Sequence, residues 1–159
     1  MLKVYNIKDK IEYLREVVIL EYNEWAKNPQ EFFEDRIDKK IEKVKNNLNK
    51  NDFCKLILLD DNKLIGFISL FPNDGDERRD LSPWYATMYV KKEYRNKGYS
   101  KILNKEILRE AQKRGYKRIY LKTDLNNYYE KFGANYMEKL SNGEKLYYID
   151  LKENNYENI

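Results

Sequence analysis

The chain has 159 residues, room for one domain with a proper core but too few for two comfortable ones. Its 31 Lys and Arg against 27 Asp and Glu leave a net charge of +4, too small and too dispersed to argue for nucleic acid. The single Cys excludes an internal disulfide, and the absence of His removes Ser-His-Asp and Cys-His nucleophilic schemes and His-based metal sites.

Leu2–Asn6 reads as a short first strand. Asp9 followed by Glu12 fits a capping box, and behind it Ile11, Leu14, Val18, Tyr22 and Trp25 recur at spacings of three and four. That pattern predicts an amphipathic helix. Asn28 and Pro29 predict the start of a second helix, with Asn as cap and Pro at its first position. Its buried stripe is Phe33, Ile37, Ile41, Val44 and Leu48, and the Asn- and Lys-rich stretch 46–52 ends it.

Two short apolar runs, 53–59 and 64–70, flank Asp60-Asp61-Asn62-Lys63 and predict a hairpin of well-covered strands. Cys54 lies in the first run and reads as a packed thiol. Residues 71–83 hold two prolines and Gly75, the signature of a loop, and 84–90 is the next strand. Tyr99, Leu103, Ile107 and Ala111 mark a helix face that Gly115 is placed to stop. Then follow a strand at 119–123, a short helix at 126–132, a strand at 134–139, an Asn142-Gly143 turn and a last strand at 146–151. Residues 1–152 are expected to form one domain and 153–159 a frayed tail.

The order β-α-α-β-β-β-α-β-α-β-β predicts an α/β (α+β) domain. Strands 84–90 and 118–123 should run parallel across their helix, and hairpins should make the rest of the sheet antiparallel. No apolar stretch approaches the ~20 residues of a membrane span, and the N-terminus lacks the apolar centre of a signal peptide. A cytoplasmic protein that does not engage membranes is the expectation.

The turn before the third helix carries the chemistry. Lys91, Lys92, Arg95, Lys97 and Lys101 crowd that helix start against one Glu93. A helix N-terminus already bears about half a positive charge, so each exposed cation there is unfavourable by about 0.3–1 kcal/mol. An anion held by free backbone N–H groups resolves the conflict, and phosphate is the natural candidate. The spacing Arg95-x-x-Gly98-x-Ser100 is neither Gly-x-Gly-x-x-Gly nor a P-loop.

Arg95-x-x-Gly98-x-Ser100, placed after a strand and before a helix, resembles the acyl-CoA motif of the GCN5-related N-acetyltransferase (GNAT) superfamily. Tyr128-Tyr129-Glu130-Lys131-Phe132-Gly133-Ala134 resembles a second segment of that family, at the right distance along the chain. Ser100 replaces a Gly or Ala of the family pattern, and Ala134 a larger aromatic residue. The resemblance implies a GNAT-like sheet with helices on both faces, acetyl-CoA as co-substrate and no metal.

It also implies roles. Amides from Arg95 and Asn96 through Lys97, Gly98, Tyr99, Ser100 and Lys101 would cradle the CoA diphosphate. Main-chain groups of Met88, Tyr89 and Val90 would pair with the pantetheine arm, and Asn126 would bond to it. Tyr129 falls at the general-acid position. For the base that frees the amine, the loop before Trp84 offers Asp74, Asp76, Glu77 and Asp80, of which Asp80 is preferred. Trp84, Trp25 and Tyr85 are candidates for the acceptor side.

The function implied is N-acetyl transfer to a primary amine, small molecule or peptide, by direct attack in a ternary complex, from a monomer or homodimer. A non-catalytic CoA-binding module on the same fold is the alternative. A nucleic-acid domain built on the 91–101 cluster is a third reading, distinguished by steep salt dependence.

Overall fold

The computed structural model describes residues 1–28 and 31–151. The helix start expected at Pro29 and the tail expected at 153–159 fall on or past the edge of that range and lie outside the described residues.

Strand β1 (Leu2–Asn6) leads into two single 3-10 turns, Ile7–Asp9 and Ile11–Tyr13, and then helix α1 (Leu14–Trp25). The capping box expected at Asp9 does not form. Asn6 takes the capping role instead, its side chain accepting from the Lys8 N–H at 3.1 Å, and Lys10 at φ −140° separates the two turns. The helix then begins at Leu14 and buries Leu14, Val17, Val18 and Tyr22. Ile11 and Trp25, expected in that stripe, are 45% and 49% exposed.

Helix α2 (Phe33–Asn47) is entered through Phe32 in the left-handed region, with Glu34 and Asp35 in its first turn and Lys45 in its last, as the helix dipole favours. The hairpin of β2 (Cys54–Asp60) and β3 (Lys63–Phe71) matches the expected runs. Next come β4 (Trp84–Val90), α3 (Tyr99–Lys113), β5 (Arg118–Thr123), β6 (Ala134–Lys139) and β7 (Lys145–Asp150). The short helix expected at 126–132 contracts to one 3-10 turn, Tyr129–Phe132. Asn127 at φ 59° interrupts the chain before it and Gly133 at φ 88° ends it.

The seven strands form one open mixed sheet in the order β1-β2-β3-β4-β5-β7-β6. Every pair is antiparallel except β4–β5, as the chain order implied. Alternation along β2 divides the core by face. Leu56 and Leu58 join Leu103, Ile107 and Ala111 of α3, while Ile57 and Leu59 join Val18 of α1 and Ile37 of α2. Cys54 is buried on the α3 side, and burial pushes its thiol up to about 11, which leaves it an unreactive packing group.

Gly66 is the tightest point of this sheet. A β-carbon there would lie 2.3 Å from the Tyr89 carbonyl oxygen and 3.1 Å from Val90 Cα, both backbone atoms of the adjacent strand. Gly66→Ala must therefore push β4 away from β3. We expect a loss of about 3 kcal/mol, the upper part of the range for overpacking, read as a fall in the urea midpoint at unchanged slope.

Candidate active site

Strands β4 and β5 start side by side and then part. Their one register pair is Trp84 with Tyr120, backed by the Tyr120 N–H donating to the Pro83 carbonyl at 3.0 Å. On the other side β4 stays paired to β3 as far as Val90, but its register slips between Phe67 and Ser69. Thr87 lies in the slip with φ 50°, an uncommon conformation for a β-branched residue. From this bulge onward the β5-facing side of β4 has no partner strand among the described residues.

A polar network ties down the bulge. The Thr87 hydroxyl donates to Ser69 Oγ at 2.8 Å, and Lys55 Nζ donates to the same oxygen at 2.9 Å and to Glu21 Oε2 at 2.7 Å. Lys55 is 1% exposed and Ser69 is fully buried. The ammonium also sits 5.0 Å from the centre of the Phe71 ring. A lysine inside the apolar run 53–59 was the one available signal of this network, and its acidic partner lies 34 residues away in sequence.

A cleft of about 800 Å³ opens where the two strands diverge. Its walls are residues 85–88 of β4, residues 121–125 at the end of β5, Tyr129, Asp74, Glu144, and Glu24 and Trp25 at the end of α1. The Tyr129 ring meets Tyr85 edge-on at 5.7 Å and Tyr128 at 4.7 Å. Burial pushes its phenol up to about 12, with Tyr128 acting in the same direction. The buried Tyr85 hydroxyl has no partner in hydrogen-bonding geometry among the described residues.

The basic turn continues β4. Residues Lys92–Tyr94 form a 3-10 turn, Asn96 and Gly98 are left-handed at φ 63° and 82°, and α3 begins at Tyr99 with no side chain capping it. The first amides of α3 therefore have no partner within their own helix. A β-carbon at Gly98 would meet nothing within 4 Å, so the approach to these amides is open. Ser100 Oγ accepts from the Tyr128 hydroxyl at 2.8 Å and keeps its own proton to donate.

The cations divide their work. Arg95 turns back on the strand, its Nε donating to the Val90 carbonyl at 2.8 Å and its guanidinium lying 5.5 Å from the Tyr89 ring centre. Lys91 is drawn to Glu16 of α1 at 2.6 Å. Lys97 and Lys101 remain exposed beside the helix start.

Two expected site residues stand elsewhere. Asp80 does not line the cleft; Arg78 holds both of its oxygens at 3.0 Å, and that hydrogen bonding keeps the carboxyl below the usual range. Its position just before Trp84 in sequence was misleading because an arginine two residues back competes for it. Glu77 is bound to Ser141, and Asp76 is fully exposed, 3.6 Å from Arg79. Of the four loop carboxylates only Asp74 reaches the cleft, where burial raises its pKa despite Lys122 at 3.9 Å. Asn126 is exposed outside the cleft, with its side-chain oxygen accepting from Lys145. Trp84 is buried, its indole N–H donating to the Leu81 carbonyl at 2.8 Å, whereas Trp25 and Tyr85 do line the cleft.

Residues 14–134 match the model of the Acetyltransferase (GNAT) family. The chain belongs to the GNAT family. Its fold agrees with solved members of that architecture. An N-acetyltransferase from Staphylococcus aureus Mu50 superposes with TM-score 0.72 at 18% identity, over 96% of this chain and 99% of that one. An aminoglycoside 6'-acetyltransferase type Ii gives 0.66 at 18%, over 98% and 99%. An aminoglycoside 6'-N-acetyltransferase complexed with coenzyme A gives 0.66 at 16%, over 98% and 99%. No curated protein is similar enough in sequence to count as a match.

As a GNAT protein this chain is of the acyltransferase class, with acetyl transfer as its general chemistry. Among the described residues no cluster of His, Cys, Asp and Glu is placed to hold a metal ion. No helix among them is long and apolar enough to cross a membrane.

Proposed function

We propose that this GNAT protein moves the acetyl group of acetyl-CoA to a primary amine by direct attack in a ternary complex. One observation carries the reading: an uncapped, open helix start with exposed lysines directly continues a bulged strand whose outer edge is unpaired. Such a path suits a ligand with a diphosphate at one end and an amide-bearing arm at the other. The amides from Asn96 to Lys101 would hold the diphosphate with Lys97, Lys101 and the Ser100 hydroxyl beside them. Arg95 would act through the end of β4 that it braces. Main-chain groups of Met88, Tyr89 and Val90 would take the arm as an added strand.

When bound, the co-substrate supplies a thioester-activated acetyl group. The chain's own residues supply orientation and proton management. An amide near the Thr87 bulge is placed to polarise a carbonyl in the cleft. Tyr129, neutral at pH 7, can donate its proton to the departing thiolate. An ordinary amine of pKa ~10.4 is mostly protonated at pH 7, and freeing its lone pair costs about 4–5 kcal/mol. Asp74 replaces Asp80 as the proposed proton acceptor, directly or through water, because it alone of the loop carboxylates reaches the cleft and its raised pKa makes it the stronger base.

Thermal melting tests the cofactor step. At 100 times its Kd, acetyl-CoA should add about 2.7 kcal/mol, or about 5–10 °C for a chain of this size. Gly98→Glu, which puts a carboxylate where the diphosphate would lie, should erase the shift. Gly98→Asn, neutral and tolerant of the left-handed region, should keep most of it. No shift for the native chain at millimolar ligand would refute the reading.

A further inference from the structure

We infer that the acceptor is a small polycation, with at least one positive centre besides the nitrogen that is acetylated. The inference rests on the acetyl-transfer reading above and adds the chemical class of the second substrate. Among the described residues four carboxylates line the cleft, Glu24, Asp74, Asp124 and Glu144, against Lys122 alone. Lys122 is drawn to Asp74, 3.9 Å away. Asp74 and Glu144 are close enough that the charge of Glu144 adds to burial in raising the Asp74 carboxyl. One carboxylate suffices as a proton acceptor. The nitrogen that attacks must be neutral, so among the described residues the remaining carboxylates have no counter-charge in the cleft unless the acceptor brings a second cation.

Three further features point the same way. Helix α1 ends at the mouth of the cleft with no basic residue in its last turn, and Glu24 stands there instead. A carboxylate at a helix C-terminus opposes the dipole, as lysines do at the start of α3, and a bound cation relieves it. Trp25 beside it is 49% exposed, with its ring T-shaped to that of Tyr89 at 6.4 Å; an exposed indole next to carboxylates is a good surface for an ammonium group. The Tyr85 hydroxyl is buried on a residue only 4% exposed, lines the same cleft and has no partner in hydrogen-bonding geometry among the described residues. The Tyr129 hydroxyl lies beside it on the side of its proton, so the Tyr85 oxygen still lacks a donor such as an ammonium N–H.

The test compares amines that differ in their second charge. Butylamine, 1,4-diaminobutane, spermidine and an aminoglycoside are each assayed for acetylation, and their binding to the protein without acetyl-CoA is measured by calorimetry at 50 and 300 mM NaCl. We expect kcat/KM for the diamine to exceed that for butylamine at least tenfold. Spermidine or the aminoglycoside should bind alone, more weakly at the higher salt, and which of the two binds tighter separates aliphatic polyamine from amino sugar. Glu24→Gln and Glu144→Gln should each narrow the gap between diamine and monoamine. Equal kcat/KM for butylamine and the diamine, or calorimetric binding that ignores both the second charge and the two substitutions, would overturn the inference while leaving acetyl transfer intact. A protein that binds the polycations but shows no thermal shift with acetyl-CoA would keep the cleft as a polycation site, while overturning both the transferase reading and the acceptor role that rests on it.

Discussion

Tyr129→Phe lowers kcat by about 10²- to 10⁴-fold and leaves the KM for acetyl-CoA close to its native value. The range is that for loss of a positioned general acid. Phe preserves the edge-on contacts with Tyr85 and Tyr128, so the walls of the cleft stay in place and only the proton is removed. The pH profile supplies a second reading of the same group. Burial holds the phenol protonated up to about 12, so the native enzyme should show no alkaline fall in kcat/KM below that value from this residue. On the acid side the sign is opposite. A carboxylate base with a raised pKa, as at Asp74, is lost as pH falls through it, so activity should climb with pH before levelling. Steady-state kinetics from pH 5 to 10 check both limbs. A Phe variant within tenfold of native kcat would remove Tyr129 from the mechanism.

Glu21→Ala destabilises the fold by about 3–5 kcal/mol, the range for stripping a buried ion of its partner. Lys55→Met is expected to cost clearly less. The asymmetry follows from exposure: the Lys55 side chain is 2% exposed, whereas that of Glu21 is 23% exposed. Removing Glu21 strands an ammonium in the core with only Ser69 to bond; removing Lys55 leaves a carboxylate that water can reach. Urea unfolding of the two variants tests the order, and a reversed order contradicts it. Function responds differently. Lys55→Met frees the Ser69–Thr87 pair that holds the bulge, so its KM for acetyl-CoA should rise even where the fold survives.

The strands and the parallel pair were legible because each apolar run is bounded by turn residues and the chain order admits few connections. The basic turn was legible too, because its charges oppose the helix they precede. What failed was local capping and long-range polar pairing. Asp9 and Glu12 have the right spacing, but Asn6 reaches the first free amide sooner and a 3-10 turn forms. Asn126 fits the family position, yet Lys145, 19 residues on, claims its oxygen. Asp80 lies nearer to Trp84 in sequence, while the cleft is closed by Asp74 six residues earlier. Glu24 and Glu144 look like ordinary surface charges until α1 and the β6–β7 turn bring them to one mouth. No periodicity encodes such meetings, because each depends on where two distant elements end.

Backbone amide NMR of the chain titrated with acetyl-CoA reads the central site most directly. The amides of residues 96–101, together with those of 88–90, should show the largest shifts and saturate together, while α2 stays silent. Saturable binding that leaves 96–101 unmoved, with shifts gathered elsewhere on the surface, would contradict the assignment of that turn as the anchor of the acetyl donor.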